Sequence, residues 1–222
     1  MPHVLTLMGK EPVTHNVHRF TFNKPEGFEF RPGQATELTL LREGWKDESR
    51  PFTFTSLPTD PTLEFTIKSY PSHDGVTEQL GTMELGEQAE IGDAWGAIED
   101  RGPGAFLAGG AGVTPFIAIL KNRLQTQGSL DGTSLHFANS TEADIIHKDM
   151  WPTLSGLEVH HILSDEEKPE YHHGQIDKDY LKAQGIADAP TIYLCGPPPM
   201  EEAVKEALMD LGVSEDRIVR ES

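Results

Sequence analysis

Four short stretches hold residue types that could do chemistry. In Ala108-Gly109-Gly110-Ala111-Gly112-Val113-Thr114-Pro115, three glycines fall within four residues just after an apolar run. Without a Cβ, Gly110 and Gly112 let the chain turn sharply and let a ligand approach the backbone. Thr114 suits a helix N-cap and Pro115 the first helical position. Such a glycine turn behind a helix N-terminus presents free N–H groups and a positive dipole end to an anion, the makings of a pyrophosphate cradle. The plain alternative is a glycine-rich connection, since the spacing is not G-x-G-x-x-G. In Arg50-Pro51-Phe52-Thr53, an arginine able to pair with phosphate precedes a flat ring and a hydroxyl. On a strand Arg50 and Phe52 share a face opposite Thr53, and on the residues alone such a phenylalanine is more often core and such an arginine more often in solvent. Gly75-Val76-Thr77 opens a short helical pattern, a second place for a phosphate. Cys195-Gly196-Pro197-Pro198-Pro199-Met200 follows an apolar run. Cys195 there is either functional, at the carboxyl end of a strand where ligands bind, or a small buried hydrophobe. The prolines would then only start a helix.

The elements that must position these groups fall into two halves. Residues 1 to about 98 read as strands (4–8, 17–22, 35–41, 51–56, 63–70 and 88–91) with turn signals between them and one short helix over 76–83. In Leu63-Glu64-Phe65-Thr66-Ile67-Lys68 apolar and polar residues alternate strictly, as in a half-buried strand. This spacing predicts a small antiparallel barrel. From Ala105 the rhythm changes to strands 106–108, 135–138, 157–163 and 192–195 alternating with helices 115–127, 142–150, 177–183 and 200–211. A last strand covers 217–220. That alternation predicts an α/β doubly wound parallel sheet. The boundary is placed at Asp100-Arg101-Gly102-Pro103-Gly104, giving domains of residues 1–100 and 101–222.

Composition narrows the function classes. With one cysteine in 222 residues the chain can form no internal disulfide and cannot hold an iron–sulfur cluster on its own thiolates. The formal net charge of −18 opposes nucleic-acid and anionic-membrane binding, which basic patches drive. No apolar run is long enough to span a bilayer and no signal pattern opens the chain, so the expected location is cytoplasmic. Ten histidines raise the question of a metal. His160-His161 and His172-His173 have no cysteine or paired carboxylate at ligand spacing, and no metal site is expected.

Taken together, the motifs resemble those of the ferredoxin–NAD(P)H reductase superfamily, in its short flavodoxin-reductase-like form, over nearly the whole chain. Arg50-Pro51-Phe52-Thr53 resembles the family's R-x-Y-[ST] flavin motif and Gly75-Val76-Thr77 its flavin pyrophosphate loop. Gly109-Gly110-Ala111-Gly112-Val113-Thr114-Pro115 resembles its G-G-x-G-x-T-P nucleotide loop, and Cys195-Gly196-Pro197-Pro198-Pro199-Met200 its C-G-P-x-x-M turn. The resemblance implies that Arg50 pairs with the flavin pyrophosphate, Phe52 stacks on the isoalloxazine and Thr53 offers its hydroxyl to flavin N5. It implies that Thr77 and the backbone of Gly75 and Val76 hold the pyrophosphate, with Pro51, Ile67 and Lys68 also at the flavin. Gly110, Gly112 and Thr114 would hold the nicotinamide dinucleotide. Cys195 would lie near the ring carbon that releases hydride, with Gly196, Pro197 and Met200 beside it. Thr53 and Cys195 are thus the implied catalytic pair. Three departures stand out: Phe52 replaces the usual tyrosine, Asp93-Ala94-Trp95-Gly96 stands where G-P-x-G is common, and Glu221-Ser222 ends the sequence without a terminal aromatic.

The expected function is therefore an FAD-dependent NAD(P)H oxidoreductase passing electrons to a separate carrier, such as ferredoxin or flavodoxin. FAD is favoured over FMN because of the pyrophosphate loop. An electron-transfer subunit of a larger enzyme and a non-catalytic nucleotide-sensing module on the same fold remain as alternatives. The turn Ala138-Asn139-Ser140-Thr141-Glu142 should read the adenosine ribose, with Asn139 and Ser140 in contact. No Arg or Lys lies between His136 and His147 to take a 2′-phosphate, so NADH is favoured over NADPH, unless Lys121, Arg123 or Lys148 swings in.

Overall fold

A computed structural model describes residues 2–70, 75–96 and 98–221; Ser222, half of the chain-end pair singled out above, lies outside them. Six antiparallel strands form the first sheet: β1 (His3–Pro12), β2 (Val17–Asn23), β3 (Ala35–Leu40), β4 (Ser49–Thr53), β5 (Thr62–Lys68) and β6 (Gln88–Ile91). Their order is β4-β3-β6-β1-β2-β5. The two ends of this row approach each other just past β4, where Thr55 N donates to the Glu64 carbonyl at 2.8 Å, so the sheet is a nearly closed barrel. Alternation explains its interior. Leu63, Phe65 and Ile67 point inward to join Phe20, Phe22, Leu38 and Phe54, while Glu64, Thr66 and Lys68 point outward. Helix α1 (Val76–Gly81) plugs one end with the buried side chains of Val76 and Leu80.

The second sheet holds β7 (Ala105–Gly109), β8 (Thr133–Asn139), β9 (Leu157–Leu163), β10 (His172–His173), β11 (Ile192–Cys195) and β12 (Ile218–Arg220), all parallel. The order β10-β9-β8-β7-β11-β12 runs one way to β7 and then reverses. The crevice at the carboxyl ends of β7 and β11 is therefore the switch point where open α/β sheets take their ligands. Each strand sends alternate residues to opposite faces. Phe106, Ala108, Tyr193 and Cys195 meet α2 (Thr114–Gln127), whereas Ala105, Leu107, Ile192 and Leu194 meet α3 (Lys178–Ala183) and α4 (Pro198–Asp210). The α2 face also packs against Val17 of the barrel and Ile98 of the connection, so Cys195 lies on the face turned toward the barrel.

Two expected elements differ. Residues 142–150 do not form a helix: one 3-10 turn (Glu142–Asp144) and another (Trp151–Thr153) bracket an irregular turn, because His147 has a left-handed backbone with φ of 53° that no helix accommodates. Thr114 does not cap α2. A 3-10 turn over Gly110–Val113 precedes the helix, and the Thr114 hydroxyl donates to the Ala111 carbonyl at 3.0 Å. Among the described residues no helix is long and apolar enough to cross a membrane.

The connection into the second sheet is latched by one phenol. Tyr193 Oη accepts from Arg101 N at 2.8 Å and donates to the Gly102 carbonyl at 2.8 Å. That carbonyl also takes a bond from the buried Arg123 at 3.1 Å. Burial pushes the Tyr193 hydroxyl up to about 12, so it remains a donor. Tyr193→Phe removes both phenol bonds without changing the ring, and should lower the unfolding free energy by about 1–3 kcal/mol in denaturant titration. An unchanged midpoint would show that the latch carries no load.

Candidate cofactor cleft and nucleotide groove

Two cavities meet at the switch point. The first, of about 260 Å³, is lined by Ala35, Pro51, Phe52, Thr53, Thr66, Ile67, Lys68, Tyr70, Thr77, Ala111, Gly112, Thr114, Pro115, Cys195 and Glu221. It lies between the barrel and the carboxyl ends of β7 and β11. The second, of about 480 Å³, runs along the carboxyl ends of the parallel strands, where Gly109, Gly110, Asn139, Ser140, Asp144, Ser164, Pro197 and Met200 line it. Lys68 belongs to both. The 3-10 turn after β7 divides between them: Gly110 faces the groove, Ala111 and Gly112 the cleft.

The barrel side of the cleft comes from the end of β4. Pro51, Phe52 and Thr53 are consecutive and all reach the cavity, which a flat strand would forbid. β4 is last in its row and pairs with β3 in unbroken register through Thr53, so the cavity meets both of its faces around that edge. Phe52 is half-buried, packed on the barrel core with the rest of its ring on the cleft. Arg50 departs from expectation. Its guanidinium turns to Glu48 Oε2 at 3.2 Å and the Ser49 carbonyl at 2.6 Å and does not line the cavity. At the third corner Thr77 lines the cleft while Val76 is buried in the barrel core, and Gly75 occupies the N-cap position of α1. The Ser69 hydroxyl donates to the Thr77 carbonyl at 3.1 Å, which ties the helix start to the strand it follows.

The glycines of the opposite wall serve a reason different from ligand approach. A Cβ on Gly112 would collide with the Cys195 carbonyl, and one on Gly109 with the Met200 sulfur. These residues let the turn after β7 and the turn after β11 close on each other. Only Gly110, at φ of 51°, would send its Cβ into open space, the one glycine of the three where the cavity itself calls for no side chain. Gly196 N is already taken by Glu201 Oε1 at 2.9 Å, which fixes the Cys195–Met200 turn from within.

Electrostatically the cleft floor is neutral to acidic. Burial, then the negative charges of Glu221 and Glu201, push the Cys195 thiol far up, so it stays protonated. Burial and Glu201 raise the Glu221 carboxyl as well. Thr66 and Tyr70 are cleft residues without a role in the motif-based reading, and their only signal was strict alternation in β5; Glu221, which the sequence leaves evenly between the flavin edge and a solvated chain end, lines the cleft. At the groove, the buried Asn139 amide has neither its oxygen nor its nitrogen paired, and an unpaired buried amide is costly. A polar ligand in the groove would satisfy it. Beside it Glu142 gathers Lys148, Lys168 and, at 3.0 Å, Tyr171 Oη. The two lysines and the tyrosine hold its carboxyl down to about 2.

Of the α2 cations considered for this rim, Arg123 is buried under the connection and bound to Gly102, and burial lowers Lys121 on the barrel-facing side. Two of the histidines are tied into packing. The His136 ring stacks on His160 at 4.6 Å and bonds Tyr180 Oη at 2.7 Å, and His160 reaches Glu158 at 2.9 Å. Among the described residues no His, Cys, Asp and Glu are grouped as metal ligands.

The chain is similar to known proteins in sequence and in fold. The family described as "Oxidoreductase NAD-binding domain" matches residues 106–206. A "Naphthalene 1,2-dioxygenase system ferredoxin–NAD(P)(+), reductase component" of Pseudomonas putida is 27% identical over 96% of this chain and 66% of its own length; the chain thus spans about two thirds of that relative. "NADH-cytochrome b5 reductase 1" of Aspergillus terreus is 30% identical over 96% of this chain and 79% of its own. In structure, a ferredoxin NADP+ reductase from Neisseria gonorrhoeae with bound FAD and NADP superposes with a TM-score of 0.83 at 20% identity, covering 98% of this chain and 96% of that one.

The packing argument makes a direct prediction. Gly112→Ala should cost about 1–3 kcal/mol of unfolding free energy, the range for overpacking a filled site, because its methyl meets backbone. Gly110→Ala should cost only the left-handed backbone term of about 1–2 kcal/mol and leave the Cys195 turn undisturbed. Denaturant titration of both variants with near-ultraviolet circular dichroism checks this; equal perturbation of the tertiary signal would contradict it.

Proposed function

The chain belongs to the ferredoxin–NAD(P)H reductase superfamily, and on that premise we propose that it is a flavin-dependent NAD(P)H oxidoreductase. The cleft would hold FAD and the groove the nicotinamide dinucleotide, with electrons leaving to a separate carrier. One observation carries the reading: the two cavities share Lys68 and the Gly110–Val113 turn, so a planar ligand in one ends where a ligand in the other begins. When bound, the flavin supplies the redox chemistry, taking two electrons from NAD(P)H and releasing them singly.

The chain's own residues bind and orient. Phe52 offers a ring face to the isoalloxazine and Thr53 a hydroxyl at its edge, where N5 would lie. Thr77, with the backbone of Gly75 and Val76, would hold the pyrophosphate, and Pro51, Ile67 and Lys68 would flank the ring. Arg50 would reach that pyrophosphate by exchanging Glu48 for it, a trade between two anions. A two-phosphate site beside Thr77 favours FAD over FMN. In the groove Gly110 would take the dinucleotide phosphates and Asn139 and Ser140 the adenosine half. Pro197 and Met200, beside Gly196, would shape the nicotinamide end, with Gly112 and Thr114 at the passage into the cleft. Cys195, neutral and buried, closes the wall where the two rings would meet; it excludes water and charge rather than acting as a nucleophile. Glu221, a cleft residue whose carboxyl burial and Glu201 raise, would stand beside the same point.

NADH is favoured over NADPH because the cations near the ribose turn are already spent. Glu142 binds Lys148 and Lys168, Glu166 takes a second contact with Lys168 at 3.2 Å, and Asp144 lines the groove. A 2′-phosphate would meet carboxylates and no free guanidinium.

Two outcomes test the reading. The protein should take up FAD and lose its visible absorbance on anaerobic addition of NADH. Thr53→Ala and Cys195→Ala should keep FAD but slow that reduction about tenfold, about 1.4 kcal/mol of barrier; FAD that NADH leaves oxidised would overturn the function. Glu142→Gln should free Lys148, leave Lys168 to Glu166 alone, and raise kcat/KM for NADPH relative to NADH about tenfold with a neutral acceptor, the gain shrinking in salt. An unmoved ratio would remove Glu142 from nucleotide choice.

A further inference from the structure

His147 is the one non-glycine among the described residues whose backbone is left-handed, a conformation that costs an ordinary residue about 1–2 kcal/mol and persists only where surroundings over-determine it. Here they do. Ile145 and Ile146 on one side are buried. On the other, Met150 N donates to the His147 carbonyl at 2.9 Å and the fully buried Trp151 donates its indole N–H to the Ile146 carbonyl at 2.8 Å. The turn so held does not keep the imidazole within its own sheet's core. It reaches across to the barrel, where Nε2 lies 3.4 Å from Thr66 Oγ1. Thr66 points outward from β5 yet is only 5% exposed; its hydroxyl also lies 3.2 Å from Thr55 Oγ1, and it lines the cleft.

Three residues before His147 on the same segment, Asp144 lines the nucleotide groove. Four residues of chain therefore touch the groove at one end and the wall of the cleft at the other. The ring that makes the second contact is uncharged at ordinary pH, because burial and the nearby charges of Lys121 and Arg19 push it down to about 4. A neutral imidazole can share a hydrogen bond with a threonine hydroxyl in either direction, and desolvating it costs far less than desolvating an imidazolium.

We propose that His147 is a positioning residue, a strut that through Thr66 sets the offset of the β5 cleft wall from the nucleotide-binding segment and so aligns the two ligands. The alignment role rests on the reading of the cavities given above; the strut itself rests on the His147–Thr66 contact. Misplacement of reacting groups by a fraction of an ångström is expensive in rate while leaving binding largely intact, so the strut should act on turnover rather than on affinity.

The variants are His147→Gly, which accepts the backbone but deletes the ring, and His147→Asn, which tolerates the left-handed backbone and keeps a polar group on a shorter arm. In FAD-loaded protein, His147→Gly should retain its flavin and a KM for NADH within about twofold, while the maximal rate of flavin reduction by NADH falls about tenfold. Reduction of the same flavin by dithionite, which needs no nicotinamide alignment, should be unchanged, and His147→Asn should recover part of the rate. Independently, unfolding of cofactor-free His147→Gly, Thr66→Val and the double variant should be non-additive by roughly fivefold in the unfolding constant, as for residues in contact. An additive cycle, or a glycine variant reduced by NADH at the parent rate, overturns the strut. If NADH fails to reduce the parent's flavin, the functional reading falls and the alignment role with it, while the cycle still decides whether the contact exists.

Discussion

The structure depends on one close approach: the turn after β7 against the turn after β11. Parallel strands β7 and β11 are adjacent at the point where the sheet's order reverses, and the connections that follow them leave to opposite faces, α2 to one and α4 to the other, which opens the crevice. Even so, the turns themselves pack so tightly that neither Gly112 nor Gly109 has space for a Cβ. Gly196, on the other side of the contact, spends its N–H on Glu201. This contact sets the first turn of α2 beside Cys195, and α2 is the surface on which Val17 and Ile98 pack. The position of the barrel, and hence of the cleft, follows from it.

What the contact creates is a pair of cavities with a common wall. The barrel brings a ring, a hydroxyl and a helix start to one side; the parallel sheet brings a phosphate-sized groove with an unpaired Asn139 amide to the other. Charge reinforces the division. The acidic chain keeps its cations occupied near both sites, Arg50 on Glu48 and Lys148 and Lys168 on Glu142. Where the cavities join, Lys68 lines both, and on the cleft side burial shifts the Cys195 thiol and the Glu221 carboxyl toward their protonated forms. Two binding cavities that meet along one wall suit transfer between two bound ligands.

Much of this was legible in the residues. The strict alternation of Leu63–Lys68, the glycine run after an apolar strand and the strand–proline–helix pattern at Cys195 each mark a local structure that admits few alternatives, and they place the elements of the cleft. Less legible were features set by tertiary packing. A helix over 142–150 follows from its local pattern, yet the burial of Ile146 and Trp151 forces His147 into a backbone that ends any helix. Thr114 reads as a cap, but the 3-10 turn over Gly110–Val113 runs straight into the helix, so Thr114 is its first residue and Val113 takes the cap position. The direction of the Arg50 guanidinium and the approach of Thr66, Tyr70 and Glu221 to the cleft depend on how the barrel meets the sheet, which no short pattern encodes.

The most direct measurement is the structure of the protein crystallised with FAD and oxidised nicotinamide dinucleotide. The account predicts an isoalloxazine against Phe52, the adenosine half beside Asn139 and Ser140, and the nicotinamide end at the junction between Thr53 and Cys195. A dinucleotide bound away from the Gly110 groove, or a flavin outside the Phe52 cleft, would contradict it.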